Sequence, residues 1–334
     1  MIESTEESAA IPNPELPDEL PPVQPPSAGF IVQLFVFPAL IVMAVVAIWW
    51  MFGLIAVGEQ DWRKLLQELQ SQNLHIRNRA MFGLAQILEQ DNRRGDQGQH
   101  LIANREIAGG LSEQLMIELR KNSSSKDAVA IQEYLTRSMG MFDALDITSP
   151  ALIMAMEPQR DIDIRKSAIV SLSYVAGRAL ERNEPLDSPQ VVQALIEASN
   201  DQQGVIRHVA AFALGLFRSP EATQHLHVLL SSGDPMTRYN AAIGCARQGS
   251  TAGFAVIREA LSLKSDSELT ADDQFVVLKN ILKAVADIAP KLDENQREEL
   301  LPLVNQLAGS HPEIRIQVDA TAAANALKAA RTTK

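Results

Sequence analysis

Between Leu34 and Val57 the chain carries no charged residue and no strongly polar one. As a helix rising about 1.5 Å per residue, that stretch is roughly 36 Å long, enough to cross a hydrocarbon core of roughly 30 Å with some tilt. Lipid offers the backbone no hydrogen-bond partner, so a segment crossing it alone has to be helical. Pro38 stands near the start, where a missing N–H is tolerated. Trp49, Trp50 and Trp62 lie towards the C-terminal end, in the manner of an interfacial aromatic belt. A transmembrane helix is therefore expected over residues 29–58, in contact with the bilayer over 30–57 and marked by Leu34, Pro38, Trp49, Trp50 and Val57. Ala56 and Gly58 have the small-x-small look of a signal-peptide cleavage site, but the apolar stretch is too long and the region before it is acidic. Gly53 and Gly58 are five apart, so the span offers no GxxxG face for dimerisation.

Charge gives the span a direction. Residues 1–58 hold six acids (Glu3, Glu6, Glu7, Glu15, Asp18 and Glu19) and no Lys or Arg, whereas Arg63, Lys64, Arg77 and Arg79 follow the span. Basic flanks stay in the cytoplasm, which puts the short N-terminal segment outside and the bulk of the chain inside, at the cytoplasmic membrane. Residues 1–28, rich in Pro and acids, have too little apolar area to repay ordering and read as a disordered tail with a polyproline II bias. A proline-rich ligand for a partner's groove is the alternative reading, a plain spacer the favoured one. Beyond residue 58 there are 30 basic and 35 acidic residues. Such a balance lacks the clustered cations that attract a phosphate backbone, so a nucleic-acid partner is not expected.

The remainder, 59–334, repeats itself. Aligning Arg77, Arg165, Arg207, Arg238 and Arg315 puts Ile76, Ile164, Ile206, Thr237 and Ile314 one position before. Ala80, Ala168, Ala210, Ala241 and Val318 stand three after; Leu84, Leu172, Leu214, Cys245 and Ala322 stand seven after. These three columns fall within about 80° on a helical wheel and predict one buried stripe, in which the small residue admits a neighbouring helix. Ser149-Pro150, Ser188-Pro189 and Ser219-Pro220 read as N-caps followed by Pro at the first position of a preceding helix. The unit is helix, turn, helix. The long gaps from Arg77 to Arg165 and from Arg238 to Arg315 each have room for one more unit, around Ala128, Ile131 and Leu135 and around Phe275, Leu278 and Leu282. About seven helix pairs are expected, two with degraded signatures.

The stretches D-I-D-I-R-K-S-A-I-V-S-L at 161–172, G-V-I-R-H-V-A-A-F-A-L at 204–214 and D-P-M-T-R-Y-N-A-A-I-G-C at 234–245 resemble HEAT repeats, particularly the short bacterial kind also found in phycobilisome-lyase-type proteins. The resemblance implies an all-α fold: a right-handed α-solenoid of HEAT-like, armadillo-like helix pairs after one transmembrane helix. It also implies that the aligned arginines, Arg77, Arg165, Arg207, Arg238 and Arg315, form a structural ladder with turn aspartates of neighbouring repeats. Gln203 and Gly204 stand where an aspartate is expected near Arg207, which predicts a weak rung there. Solenoids bind through extended surfaces, so the implied role is a membrane-anchored scaffold or adaptor whose partner is another, membrane-associated protein. A HEAT-type enzyme such as a chromophore lyase is the alternative.

The column five after each arginine, Phe82, Val170, Phe212, Ile243 and Ala320, lies about 240° round the wheel and is apolar where polar residues are expected. Either the second helices are buried on two sides or Phe82, Val170, Phe212 and Ile243 form a partner-binding stripe. The loop at 91–104 is the longest interruption of the pattern and a candidate for binding. His225 and His227 are about 200° apart on a helix and cannot chelate one ion, so they read as solvated side chains. No nucleophile–base pair, phosphate loop or carboxylate pair stands out, so no catalytic residue, cofactor or metal is assigned. Cys245, the single cysteine, excludes an internal disulfide.

Overall fold

In the computed structural model the described residues are 27–56, 61–263 and 269–330. The acidic Pro-rich tail, except for its last residues, and Val57 lie outside them. The chain divides into two compact units, Met1–Glu59 and Gln60–Lys334. In the first, α1 runs Ala28–Ala56 with Pro38 inside it. Its Leu34, Trp49 and Trp50 are exposed, Trp49 at 77%. Among the described residues this is the one helix long and apolar enough to cross a membrane, at Val32–Met51.

The second unit is a stack of seven helix pairs among the described residues. They are α2 (Trp62–Leu69) with α3 (Leu74–Arg94), α4 (Arg105–Arg120) with α5 (Lys126–Met139), and α6 (Leu145–Ala155) with α7 (Ile162–Glu181). Then come α8 (Pro189–Ala198) with α9 (Gly204–Leu214), α10 (Pro220–Leu229) with α11 (Pro235–Arg247), α12 (Phe254–Leu261) with α13 (Ala271–Ile288), and α14 (Glu294–Ser310) with α15 (Ile314–Ala329). The fold is all-helical, with the number of pairs that the sequence pattern predicts. Each helix packs on its partner, and from α5 onwards each second helix packs on the next second helix. The alanines three after the arginine fit that approach: Ala168, Ala210 and Ala241 are fully buried, as is Ala80 in α3. Side-chain caps fix several starts, among them Asn104 on α4, Ser125 on α5 and Asp161 on α7, and a reciprocal Asp293–Gln296 capping box opens α14. Two buried clusters fill the stack. They meet along α11, which turns Ala241 and Cys245 into one and Tyr239, Ala242, Ile243 and Ala246 into the other.

The structure departs from the sequence expectations at three points, and it shows how the segment with the candidate binding loop is folded. Trp62 does not join an aromatic belt: it is the first residue of α2 and packs in the core at 7% exposure, with the Arg63 guanidinium 4.1 Å from its ring centroid. Ser149 caps nothing, because α6 begins at Leu145 and takes Pro150 into its interior; burial of Leu145 and Thr148 extends the helix upstream. The 91–104 segment is folded about the buried Asp91, whose carboxylate accepts from the N–H groups of Gln99 and Leu101. A Cβ at Gly98 falls 2.6 Å from the Asp91 carbonyl, so only glycine fits against that turn. Finally, the last repeat is out of register with the arginine alignment. Ile314 and Val318 are exposed, whereas Ile316, Ala320 and Ala324 are buried. The position that Arg occupies elsewhere is Gln317 in α15, and its amide donates to the His311 carbonyl at 2.6 Å. Ile314, Val318 and Ala322 in one register and Ile316, Ala320 and Ala324 in the other are all small or aliphatic, which is why the local pattern fits both.

A candidate binding groove across the second helices

Four of the five aligned arginines, all but Arg315, are placed at the joints between pairs. Arg77 reaches Glu118 of the following pair at 3.0 Å, a buried carboxylate that also accepts from Gln114 and Lys121. Arg165, itself nearly buried, donates to Asp201 in the turn after α8. Arg207 lies 3.7 Å from Asp234, and Arg238 lies 2.6 Å from Glu259. Arg207 and Arg238 also tie down their own turns, donating to the carbonyls of Asp201 and Ser232 at 2.9 and 2.8 Å. The Arg207 rung is a weak one, as Gln203 and Gly204 led one to expect: its carboxylate contact is 3.7 Å long, and the Asp201 carboxylate in its own turn is taken by Arg165. Arg315 is exposed and makes no ion pair among the described residues. In α5, where Ala128 replaces the arginine, the joint is made in reverse: Arg160 of the next turn donates to the Leu119 carbonyl at 2.6 Å.

Burial pulls the Asp201 carboxyl up. The hydrogen bonds from Arg165 and the Gln203 N–H and the charges of Arg165 and Arg207 pull it further down, leaving it below its ordinary value.

The column five after the arginine does not form a continuous apolar stripe. Phe82 is 75% exposed, Val170 and Phe212 are half-buried, and Ile243 and Ala320 are buried. Ile243 is enclosed because the small residues of α11 let the second cluster close over it. His225 is also not solvated: it is half-buried, with its Nε2 2.7 Å from the Ser199 hydroxyl, and burial depresses its pKa. Among the described residues no group of three His, Cys, Asp or Glu is gathered as a metal site.

What the stack does form is an open cleft of about 1200 Å³ at the C-terminal ends of α7 and α11 and the turn after α9, walled by α10 and continued by α13. Its floor is fixed by Gln248, which donates to the Phe217 carbonyl at 2.9 Å and accepts from the Thr223 hydroxyl at 2.8 Å. Lys291 closes one edge by donating to the Gly249 carbonyl at 2.7 Å; Gly249 has φ +73°, which ends α11 in the left-handed region that glycine favours. Arg247, the last residue of α11, stacks its guanidinium 4.4 Å from the Phe212 ring centroid. Its Nη1 is buried without a hydrogen bond, and Arg247 makes no ion pair among the described residues. Burial lowers the Arg247 pKa against the opposing charge of Asp287, and burial raises that of Asp287 against Lys283 and Arg247. Apart from Phe212, none of this is legible in the sequence, where Arg247 reads only as a cation placed to suit a helix C-terminus.

A family profile for HEAT repeats matches residues 192–274, the stretch that holds most of this cleft. No curated protein sequence matches the chain. Among solved structures, YibA of Escherichia coli is 16% identical over 80% of this chain and 92% of its own, with a TM-score of 0.41. Human deoxyhypusine hydroxylase in complex with glycerol is 18% identical over 82% and 98%, with a TM-score of 0.33. A designed armadillo repeat protein in complex with the peptide (KR)4 is 15% identical over 80% and 100%, with a TM-score of 0.41.

Proposed function

We propose that this chain, built on HEAT repeats, is a single-pass membrane protein whose helical stack is a scaffold for another protein at the cytoplasmic face. The division is a tail over 1–28, a membrane helix over 29–58 and the stack over 59–334. The observation that carries the reading is the environment of α1. None of the window Val32–Met51 is buried, although its mean hydropathy is 2.5. A helix this long and apolar all round suits the interior of a lipid bilayer. Arg63, Lys64, Arg77 and Arg79 on its C-terminal side support a cytoplasmic stack. Anchoring confines the binding surface to the membrane and raises its effective concentration for a membrane-associated partner.

The test is made on the full chain in its native membrane. Alkaline carbonate is expected to leave it in the pellet, and protease at the cytoplasmic face is expected to digest the stack. In-membrane crosslinking is expected to join it to a discrete membrane-associated protein. Release by carbonate, or protection of the stack, sinks the anchored reading. A small coloured ligand retained in place of a protein moves the chain to the lyase alternative.

A further inference from the structure

Resting on the scaffold reading, we infer that the cleft between α7 and α13 receives an extended acidic segment of the partner protein, one of whose carboxylates pairs with Arg247. Three observations converge. First, Arg247 presents a guanidinium whose Nη1 is buried and has no acceptor, while its face is held by Phe212. Nη1 itself is closed to an incoming group, but the Arg247 side chain is partly exposed to the cleft and has no ion-pair partner among the described residues, and a carboxylate is the acceptor that matches a guanidinium in both charge and geometry. Second, the cleft carries cations in excess within an acidic region. Arg218, Lys283 and Lys291 join Arg247 there against Glu181 and Asp287, although residues beyond 58 hold 35 acids to 30 bases. Neither Arg218 nor Lys283 makes an ion pair among the described residues.

Third, the size and lining suit a chain more than a small anion. About 1200 Å³ of open cleft spreads over several repeats, with the partly exposed Leu180 beside the cations and the buried Leu216 beneath them. A single dicarboxylate leaves most of that space empty, whereas an extended peptide alternates carboxylates with small apolar residues along it. The two carboxylates in the wall disfavour a uniformly charged phosphate backbone, because each repels a phosphate that has no neutral residue to place opposite it. Asp287 works against the acidic ligand as well, so its neutralisation is expected to tighten binding.

The test uses the full chain in nanodiscs of uncharged phosphatidylcholine and three fluorescein-labelled dodecapeptides, alternating Glu-Ala, Gln-Ala and Lys-Ala. Anisotropy is expected to show the Glu peptide binding at least about tenfold more tightly than the other two. Arg247→Gln and Lys283→Glu should each weaken it about tenfold, Asp287→Asn should tighten it, and Arg315→Gln should leave it unchanged. Lys283 is exposed, so K283E reads the cleft even where R247Q disturbs packing. Equal binding of the Gln peptide, or undiminished binding by folded K283E, overturns the inference. So does a single-stranded oligonucleotide that outcompetes the Glu peptide and loses affinity in the same variants. Crosslinking separates the two readings. A membrane partner captured equally by wild type and K283E leaves the scaffold standing and removes the cleft from it. Acidic-peptide binding with no partner captured removes the scaffold.

Discussion

Gly215 and Gly244 meet backbone to backbone: a Cβ built on Gly215 falls 2.5 Å from the Cα of Gly244, and one built on Gly244 falls 2.9 Å from the Cα of Gly215. This contact sets how closely α11 approaches the end of α9, and so it also sets Arg247 over Phe212. In an isolated helix Gly244→Ala would gain about 1 kcal/mol from propensity. Here the new methyl meets backbone and the Leu226 side chain, and overpacking of that kind costs about 1–3 kcal/mol. A net loss is expected, read as a lower Tm. Gly177→Ala in α7, where nothing lies within 4 Å of the added Cβ, is expected to raise Tm slightly. A rise in both variants would mean the helices stand further apart.

Arg165→Ala should be the most damaging change in the arginine series. It removes the main partner of Asp201, whose side chain is only 12% exposed; because the Gln203 N–H and the charge of Arg207 remain, the loss should fall below the roughly 3–5 kcal/mol of a fully buried pair broken from one side. Arg315→Ala touches an exposed residue and should fall within about 0.5 kcal/mol of wild type. Chemical denaturation measures both, and equal effects would refute a joint-by-joint role for these arginines.

Acid should act in two stages. The His225 pKa lies below its ordinary 6.5 in the folded state because the ring is partly desolvated. Its neutral form is favoured by folding, so that contribution is complete above about 6.5 and is lost as pH falls through the lower folded value. Asp201 is likewise depressed from 3.8, so its contribution holds above that value and is lost only in stronger acid. Tm measured from about pH 8 to about pH 2 should show both limbs, and His225→Gln should flatten the upper one alone. An unchanged upper limb in that variant removes His225 as its source.

Cys245 should be inert in the native protein. It is fully buried, and burial pushes its thiol up to about 11, which leaves almost no thiolate at neutral pH. Labelling by a maleimide should track unfolding, with no fast phase in the native state; a stoichiometric fast phase means that α11 opens locally.

What the sequence alone determined is what depends on local composition and helical period. The uncharged run from Leu34 onward makes α1, and the columns of aliphatic, small and large residues around Arg77, Arg165, Arg207 and Arg238 make the second helices and the count of pairs. Even the degraded units kept Ile131, Leu135, Leu278 and Leu282 inside, because burial needs only the right face. The tertiary structure decided what depends on how closely distant segments approach. It drew Trp62 into the core, chose Ile316 over Ile314 in α15, supplied Asp201 to Arg165, and split the apolar column so that Ile243 is enclosed and Phe82 is not. The cleft belongs to this second class. Phe212, Arg247 and Lys283 lie on three successive second helices, and only the distances between those helices bring them to one surface.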